Sequence, residues 1–239
     1  MALLELRDVR KTFGGLTAIA GASFEIDTGE LVGLIGPNGS GKTTLLNIMS
    51  GHLPLDSGSI KLAGREISGL KPNVLAGRGI LRMFQLTRLF RQITALDNLL
   101  VGGRALGLGA AEARHRAEEL AQDLGLSAVL DLDAGQLSGG QQKLLEFGTC
   151  FMIPPRLALL DEPFAAIHPA MRRTMSEFVR HRHAEGQTFI LVSHDMPIIR
   201  ELCPRAICMN AGAVIGDGPT EAVLSDANVI EAYLGGHAA

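Results

Sequence analysis

The sequence predicts an α/β fold with a parallel-sheet core, an antiparallel β subdomain and an inserted α-helical subdomain. Three observations carry this. "ELVGLI" (30–35), "LALL" (157–160) and "TFILV" (188–192) are short apolar runs, the composition of strands buried on both faces. The first and second of these are followed by helical spacing, in "TTLLNIMSG" (43–51) and over 169–185. From about 92 to 149 the alternation typical of strands gives way to helix.

Taken in order, "LLELRDV", "SFEI" and "GSIKLAG" alternate apolar and polar residues between turn signals, as strands do. In "AEARHRAEELAQDLG", Ala113, Ala117, Leu120, Ala121 and Leu124 make one apolar helix face that Gly125 closes. The helix over 169–185 opens on Pro169, stripes Met171, Met175, Phe178 and Val179, and stops at Gly186. "AICMNAGAVIG" predicts a hairpin turning at Asn210-Ala211-Gly212, with a short helical tail after it.

Bulk properties narrow the class. With 239 residues, 46% hydrophobic and 20% charged, the chain suits one large domain with a sizeable core. A net charge of −3 with dispersed Lys and Arg argues against nucleic acid as the main partner. No apolar run approaches the roughly 18 residues of a membrane span, and the N-terminus lacks a secretory pattern, so a soluble chain is expected. Three cysteines, Cys150, Cys203 and Cys208, suit a reducing compartment and buried free thiols.

"GPNGSGKTT" supplies the chemistry: Gly36, Pro37, Asn38, Gly39, Ser40, Gly41, Lys42, Thr43 and Thr44 fit G-x-x-x-x-G-K-[ST] between a strand and a helix. Backbone N–H groups of 38–43 converge on an anion only if the loop takes positive φ, which glycine permits. The helix N-terminus adds partial positive charge. Lys42 is a point charge for the β- and γ-phosphates, and Thr43 a hard oxygen for Mg²⁺. A glycine-rich turn with a solvated lysine is the plainer reading, but the flanking strand and helix favour a phosphate-loop NTPase core that binds a nucleoside triphosphate.

"LALLDEP" brings Asp161 and Glu162 to the carboxyl end of a buried strand, the edge where open α/β sheets bind ligands. Asp161 is placed to hold Mg²⁺ through water, and Glu162 to polarise an attacking water. "LSGGQQ" (137–142) presents Ser138, Gly139, Gly140 and Gln141 at a second helix N-terminus suited to an anion. Alone it is an N-capped helix.

Together with the phosphate loop, this segment resembles the signature of ABC (ATP-binding cassette) ATPases. The resemblance spans nearly the whole chain and implies further roles. Gln85 in "RMFQL" matches the glutamine that contacts Mg²⁺ and water and senses the membrane partner. His194 in "ILVSHD" matches the switch histidine, and Phe13 in "KTFGG" the aromatic that stacks on adenine, with a core Phe as the alternative. It also implies that residues 138–141 meet the ATP of a partner subunit. One position departs: His168 stands in "FAAIHP" where the family carries Asp or Asn, and His is the poorer helix cap.

The segments "KTFGGLTAI", "MFQLTRLFRQITALDNLLVG" and "VIEAYLGG" are similar to the ATP-binding subunits of branched-chain amino acid importers. Implied partners are a second ATPase subunit, identical or not, transmembrane permease subunits and, indirectly, a solute-binding protein. The implied place is the cytoplasmic face of the cell membrane. Importers of urea, amides or aromatic acids and soluble non-transport ABC ATPases are the alternatives. The expected organisation is one domain over 1–239, with 1–90 and 150–239 as the nucleotide-binding core and about 91–149 as the helical subdomain.

Overall fold

Alternation in the N-terminal segments becomes one buried sheet face. In the computed structural model, which describes residues 2–83, 89–105, 107–165 and 167–235, β1 (Ala2–Phe13) and β2 (Leu16–Asp27) form an antiparallel hairpin. Gly14 and Gly15 join them, both at positive φ, as a two-residue turn matching the strand twist requires. After β3 (Leu31–Ile35) and α1 (Lys42–Met49), β4 (Ser57–Leu62) and β5 (Arg65–Glu66) extend the hairpin into a sheet ordered β2-β1-β4-β5. Leu4, Leu6, Ile19 and Ile60 on its inner face share a core with Leu45, Leu46 and Met49 of α1. The strand β2 is longer than the expected "SFEI", because its first half pairs along β1 despite small side chains.

The second sheet follows α2 (Pro72–Gly77) and takes in β6 (Ile80–Met83), β7 (Leu157–Asp161), β8 (Thr188–Val192), β9 (Arg205–Asn210) and β10 (Ala213–Pro219). Its order is β10-β9-β3-β8-β7-β6. All pairings are parallel except β9 with β10. Every residue of β3, β7 and β8 is buried, as their unbroken apolar runs predict. Ala211 and Gly212, at φ 46° and 81°, form the expected hairpin turn. That hairpin belongs to the core sheet, since β9 runs parallel to β3 from Val32↔Arg205 to Ile35↔Cys208.

Between β6 and β7 lie α3 (Ala95–Ala105), α4 (Ala110–Asp123) and α5 (Gly139–Thr149). The predicted face of α4 is buried: Ala113, Ala117, Leu120 and Ala121 join a core with Leu96, Leu99 and Phe147. Phe147 and Phe151 meet Phe178 of α6 (Pro169–Ala184) edge-on, with ring centroids 5.2 and 4.9 Å apart. Such pairs add about 0.5–1.5 kcal/mol each beyond burial and bind the end of α5 to the core. The chain finishes through α7 (Met196–Leu202), α8 (Thr220–Ser225) and α9 (Ala227–Gly235). Among the described residues no helix is long and apolar enough to cross a membrane. All three cysteines are free thiols. Burial pushes Cys150 and Cys203 up to about 12 and Cys208 up to about 11, so they stay protonated and unreactive near neutrality.

Candidate functional site

β3 delivers the chain to the carboxyl edge of the sheet, where residues 36–41 loop into α1. Gly36, Gly39 and Gly41 take φ of 142°, 78° and 103°. Two of them also admit close neighbours. A Cβ on Gly36 would strike the Met209 carbonyl, and one on Gly41 would lie 2.6 Å from the Ala18 carbonyl. At Gly39 the space is open, so only its backbone angle calls for glycine. Lys42 is buried at the start of α1, and its Nζ donates to the carbonyls of Gly36 (2.7 Å) and Pro37 (2.9 Å). Burial lowers its pKa, opposed chiefly by the nearby Glu162 carboxylate.

The loop faces a cavity of about 350 Å³ that residues 38–44 share with Phe13, Asp161, Glu162 and His194. Phe13 sits at the β1–β2 hairpin tip and is 46% exposed, which excludes the core alternative. Leu16, across the same turn, is 72% exposed and lines the same rim.

The two acids occupy different surroundings. Asp161 Oδ2 accepts from Arg82 Nη2 at 3.1 Å, with both side chains 5% exposed. Arg82 also donates to Asn47 Oδ1 (2.5 Å) and Ser50 Oγ (3.0 Å), so one guanidinium ties β6, β7 and the end of α1 together. Glu162 lies just past the strand at φ 50°, a left-handed conformation that costs a non-glycine residue about 1–3 kcal/mol. Its N–H donates to the Val192 carbonyl (3.0 Å), which holds the turn. Its Oε1 is buried without a hydrogen bond and 3.4 Å from His194 Nε2. Burial raises its pKa, opposed by His194, with Asp161 adding to the rise. A strained, desolvated carboxylate with an open acceptor atom is poised to take a proton.

Thr43 and Asp161 bring two hard oxygen donors to one cavity, a set that fits Mg²⁺. Among the described residues no group of three His, Cys, Asp or Glu forms a cage. Mg²⁺ held by one or two protein oxygens would complete its shell with water and substrate phosphate. Gln85, the third expected ligand, lies outside the described residues.

Ser138–Gln141 do not line this cavity. Ser138 caps α5 in a capping box: Gln141 N–H donates to its Oγ (3.3 Å), and Ser138 N–H donates to Gln141 Oε1 (3.0 Å). A Cβ on Gly140 would strike Met171 of α6, whereas Gly139 faces open space. His168 caps α6 after all. Its Nδ1 accepts from Ala170 N–H at 3.3 Å, a role that needs only the ring's lone pair.

Tyr233 is the residue that sequence reasoning missed. This sole tyrosine lies on α9, and Gly36 N–H donates to its Oη at 2.6 Å. Burial pushes the phenol up to about 12, so it remains a neutral acceptor. A contact across nearly the whole chain leaves no local pattern. Arg82 is legible only as a charge inside a buried run.

A parallel α/β sheet with a phosphate cradle, a buried lysine and a desolvated acid defines a nucleoside-triphosphate hydrolase. A family model described as ABC transporter matches residues 19–165. The chain is 34% identical to the high-affinity branched-chain amino acid transport ATP-binding protein BraF of Pseudomonas aeruginosa, over 98% of each chain. It is 33% identical, again over 98% of each, to the probable branched-chain amino acid transport ATP-binding protein LivG of Methanocaldococcus jannaschii. A crystal structure of the ADP conformation of an ATP-binding cassette superposes with a TM-score of 0.87 at 32% identity, over 98% of this chain and 99% of that one. The chain belongs to the ABC transporter family.

Proposed function

We propose that this chain is the ATP-hydrolysing subunit of an importer for branched-chain amino acids or a related small polar solute. One observation carries the substrate class: the near full-length similarity to BraF and LivG. The cavity supports the roles assigned within it. The amides of 38–43 and Lys42 would hold the phosphates, and Phe13 the base. Thr43, Gln85 and Asp161 would hold Mg²⁺, whose chemistry when bound is to neutralise charge on the β- and γ-phosphates. Glu162 would take the proton of the attacking water, and His194 would stabilise charge on the γ-phosphate.

Because Ser138–Gln141 lie off this cavity, each ATP would lie between the phosphate loop of one copy and the signature of another, in a head-to-tail pair. The γ-phosphate would bridge the two sides, and hydrolysis would remove the bridge and release them. In this reading 1–90 and 150–239 are the nucleotide-binding core. Residues from about 91 to 149 would be the helical subdomain that meets the permease, and Gln85 would couple the two. The complex would sit on the cytoplasmic face of the membrane, fed by a solute-binding protein. Reconstitution of the chain with its co-purified permease in vesicles tests this. ATP-driven uptake of labelled leucine is expected, and uptake of urea or amides alone would shift the reading to those solutes.

Two substitutions test the cavity. Phe13→Ala is expected to weaken ATP binding by roughly 1–3 kcal/mol, the range of base–aromatic stacking, with Phe13→Tyr nearly silent. Titration with a fluorescent ATP analogue reads both, and equal losses would remove the ring from the site. Tyr233→Phe keeps the ring packed but removes the acceptor of Gly36 N–H. It is expected to weaken ATP binding about 2–10-fold, the worth of one hydrogen bond, and to speed hydrogen exchange at the Gly36 amide. Unchanged binding and exchange would reduce Tyr233 to a packing residue.

A further inference from the structure

A second cavity, of about 680 Å³, opens at the amino-terminal edge of the core sheet, the edge opposite the phosphate loop. Gly79 leads into β6 and Arg156 into β7, and Leu157 N–H donates to the Gly79 carbonyl at 3.0 Å. The walls come from the β4–β5 turn, the end of α2 and the segment before β7. Three arginines line it, Arg65, Arg78 and Arg156, and no acidic residue does.

Two of the three are positioned by the backbone. Arg156 lays its stem across Gly79, where a Cβ would lie 2.8 Å from its Cγ. Arg78 Nη1 donates to the Glu66 carbonyl at 3.3 Å. Many other arginines have acidic partners, as in Arg82–Asp161, Arg172–Asp195, Arg182–Asp123 and Arg205–Asp217; among the described residues Arg91, Arg104 and Arg173 do not, but they do not line this cavity. Among the described residues, Arg65, Arg78 and Arg156 have no carboxylate within ion-pair distance. The carboxyl end of α2 opposes an anion by at most about half a charge, against three full positive charges. In a chain of net charge −3, such a concentration of unneutralised guanidinium is local and specific.

We propose that this cavity is a second anion site, separate from the nucleotide cavity, for a small molecule bearing two or more phosphate charges. Guanidinium forks pair with phosphate oxygens two at a time, a geometry that an ammonium does not supply. The volume falls within the roughly 300–1,000 Å³ of small-molecule sites. Leu62 and Ile153 offer an apolar wall for the uncharged part of such a molecule. A soluble phosphate compound and a phosphomonoester lipid headgroup share this chemistry.

The test uses the full chain with saturating MgADP, which keeps the phosphate loop filled. Pyrophosphate is titrated by calorimetry, and vesicles of phosphatidylcholine with or without phosphatidic acid are assayed by sedimentation. One pyrophosphate per chain is expected for a soluble ligand, and phosphatidic acid-dependent sedimentation for a headgroup. Either must depend on the three arginines. Each single Arg→Ala substitution should weaken binding about tenfold, and the triple variant on the order of 100-fold or more. The charge-matched triple Arg91→Ala, Arg104→Ala, Arg173→Ala should bind within about twofold of wild type, since Debye screening mutes distant charges. The proposal fails if neither probe binds, or if the two triple variants lose affinity equally.

Discussion

Replacing Glu162 with Gln is expected to cut ATP turnover by roughly 10²–10⁴-fold, the usual worth of a positioned general base, while ATP still binds. Glutamine keeps the shape of the side chain but cannot take a proton. The Glu162 Oε1 atom is buried without a hydrogen bond, and burial disfavours its charged form, so the fold is expected to survive its neutralisation. If each ATP bridges two copies, the unhydrolysed complex should accumulate as a dimer with ATP and dissociate with ADP, which size-exclusion chromatography resolves. A monomer at saturating ATP, or turnover at the wild-type rate, would sink both the base assignment and the closure mechanism.

The raised pKa of Glu162 adds two signed consequences. Turnover in the wild type should fall on the acid side at a pH above the ordinary glutamate value of about 4.3. For stability, a carboxyl whose folded pKa is raised favours the fold while protonated. That contribution is full below the unfolded pKa and is lost as pH rises through the folded pKa. The Glu162→Gln variant, whose side chain is neutral at every pH, should therefore melt higher than wild type at neutral pH, by an amount that shrinks toward acid pH. Calorimetry across that range checks the sign, and a lower melting temperature at pH 7 would contradict it.

Lys42→Ala is expected to lower ATP affinity by roughly 10–150-fold, the range for charge-assisted hydrogen bonds of about 1.5–3 kcal/mol. The Lys42 ammonium is buried among backbone carbonyls at the loop itself. Removing it also removes a desolvated charge, so the fold should persist by circular dichroism. The carbonyls of Gly36 and Pro37 lose a donor, a cost that offsets part of that gain. Unchanged affinity in a folded variant would exclude Lys42 from phosphate binding.

Much of this molecule is legible along the chain. Runs such as "LVGLI" and "TFILV" dictate buried strands because no polar residue interrupts them, and parallel pairing follows from burial on both faces. The phosphate loop is equally local: its glycines, lysine and threonine act through consecutive amides and the helix that follows. "LALLDEP" alone sets Glu162 at the end of a buried strand, and α4 declares its face through the spacing of Ala113, Ala117, Leu120 and Ala121.

Tertiary structure alone decided other features, all of which join residues distant in sequence. The "AICMNAGAVIG" hairpin is local, but its docking beside β3 rather than in the antiparallel sheet depends on which apolar edge is left open. The Arg82–Asp161 pair spans 79 positions and Tyr233–Gly36 spans 197. The anion cavity gathers Arg65, Arg78 and Arg156 from three separate segments. Local periodicity encodes which face of an element is buried, because that depends on neighbours three or four positions away. It does not encode which charge meets which. That pairing is set when whole elements pack and each buried polar group must find its partner.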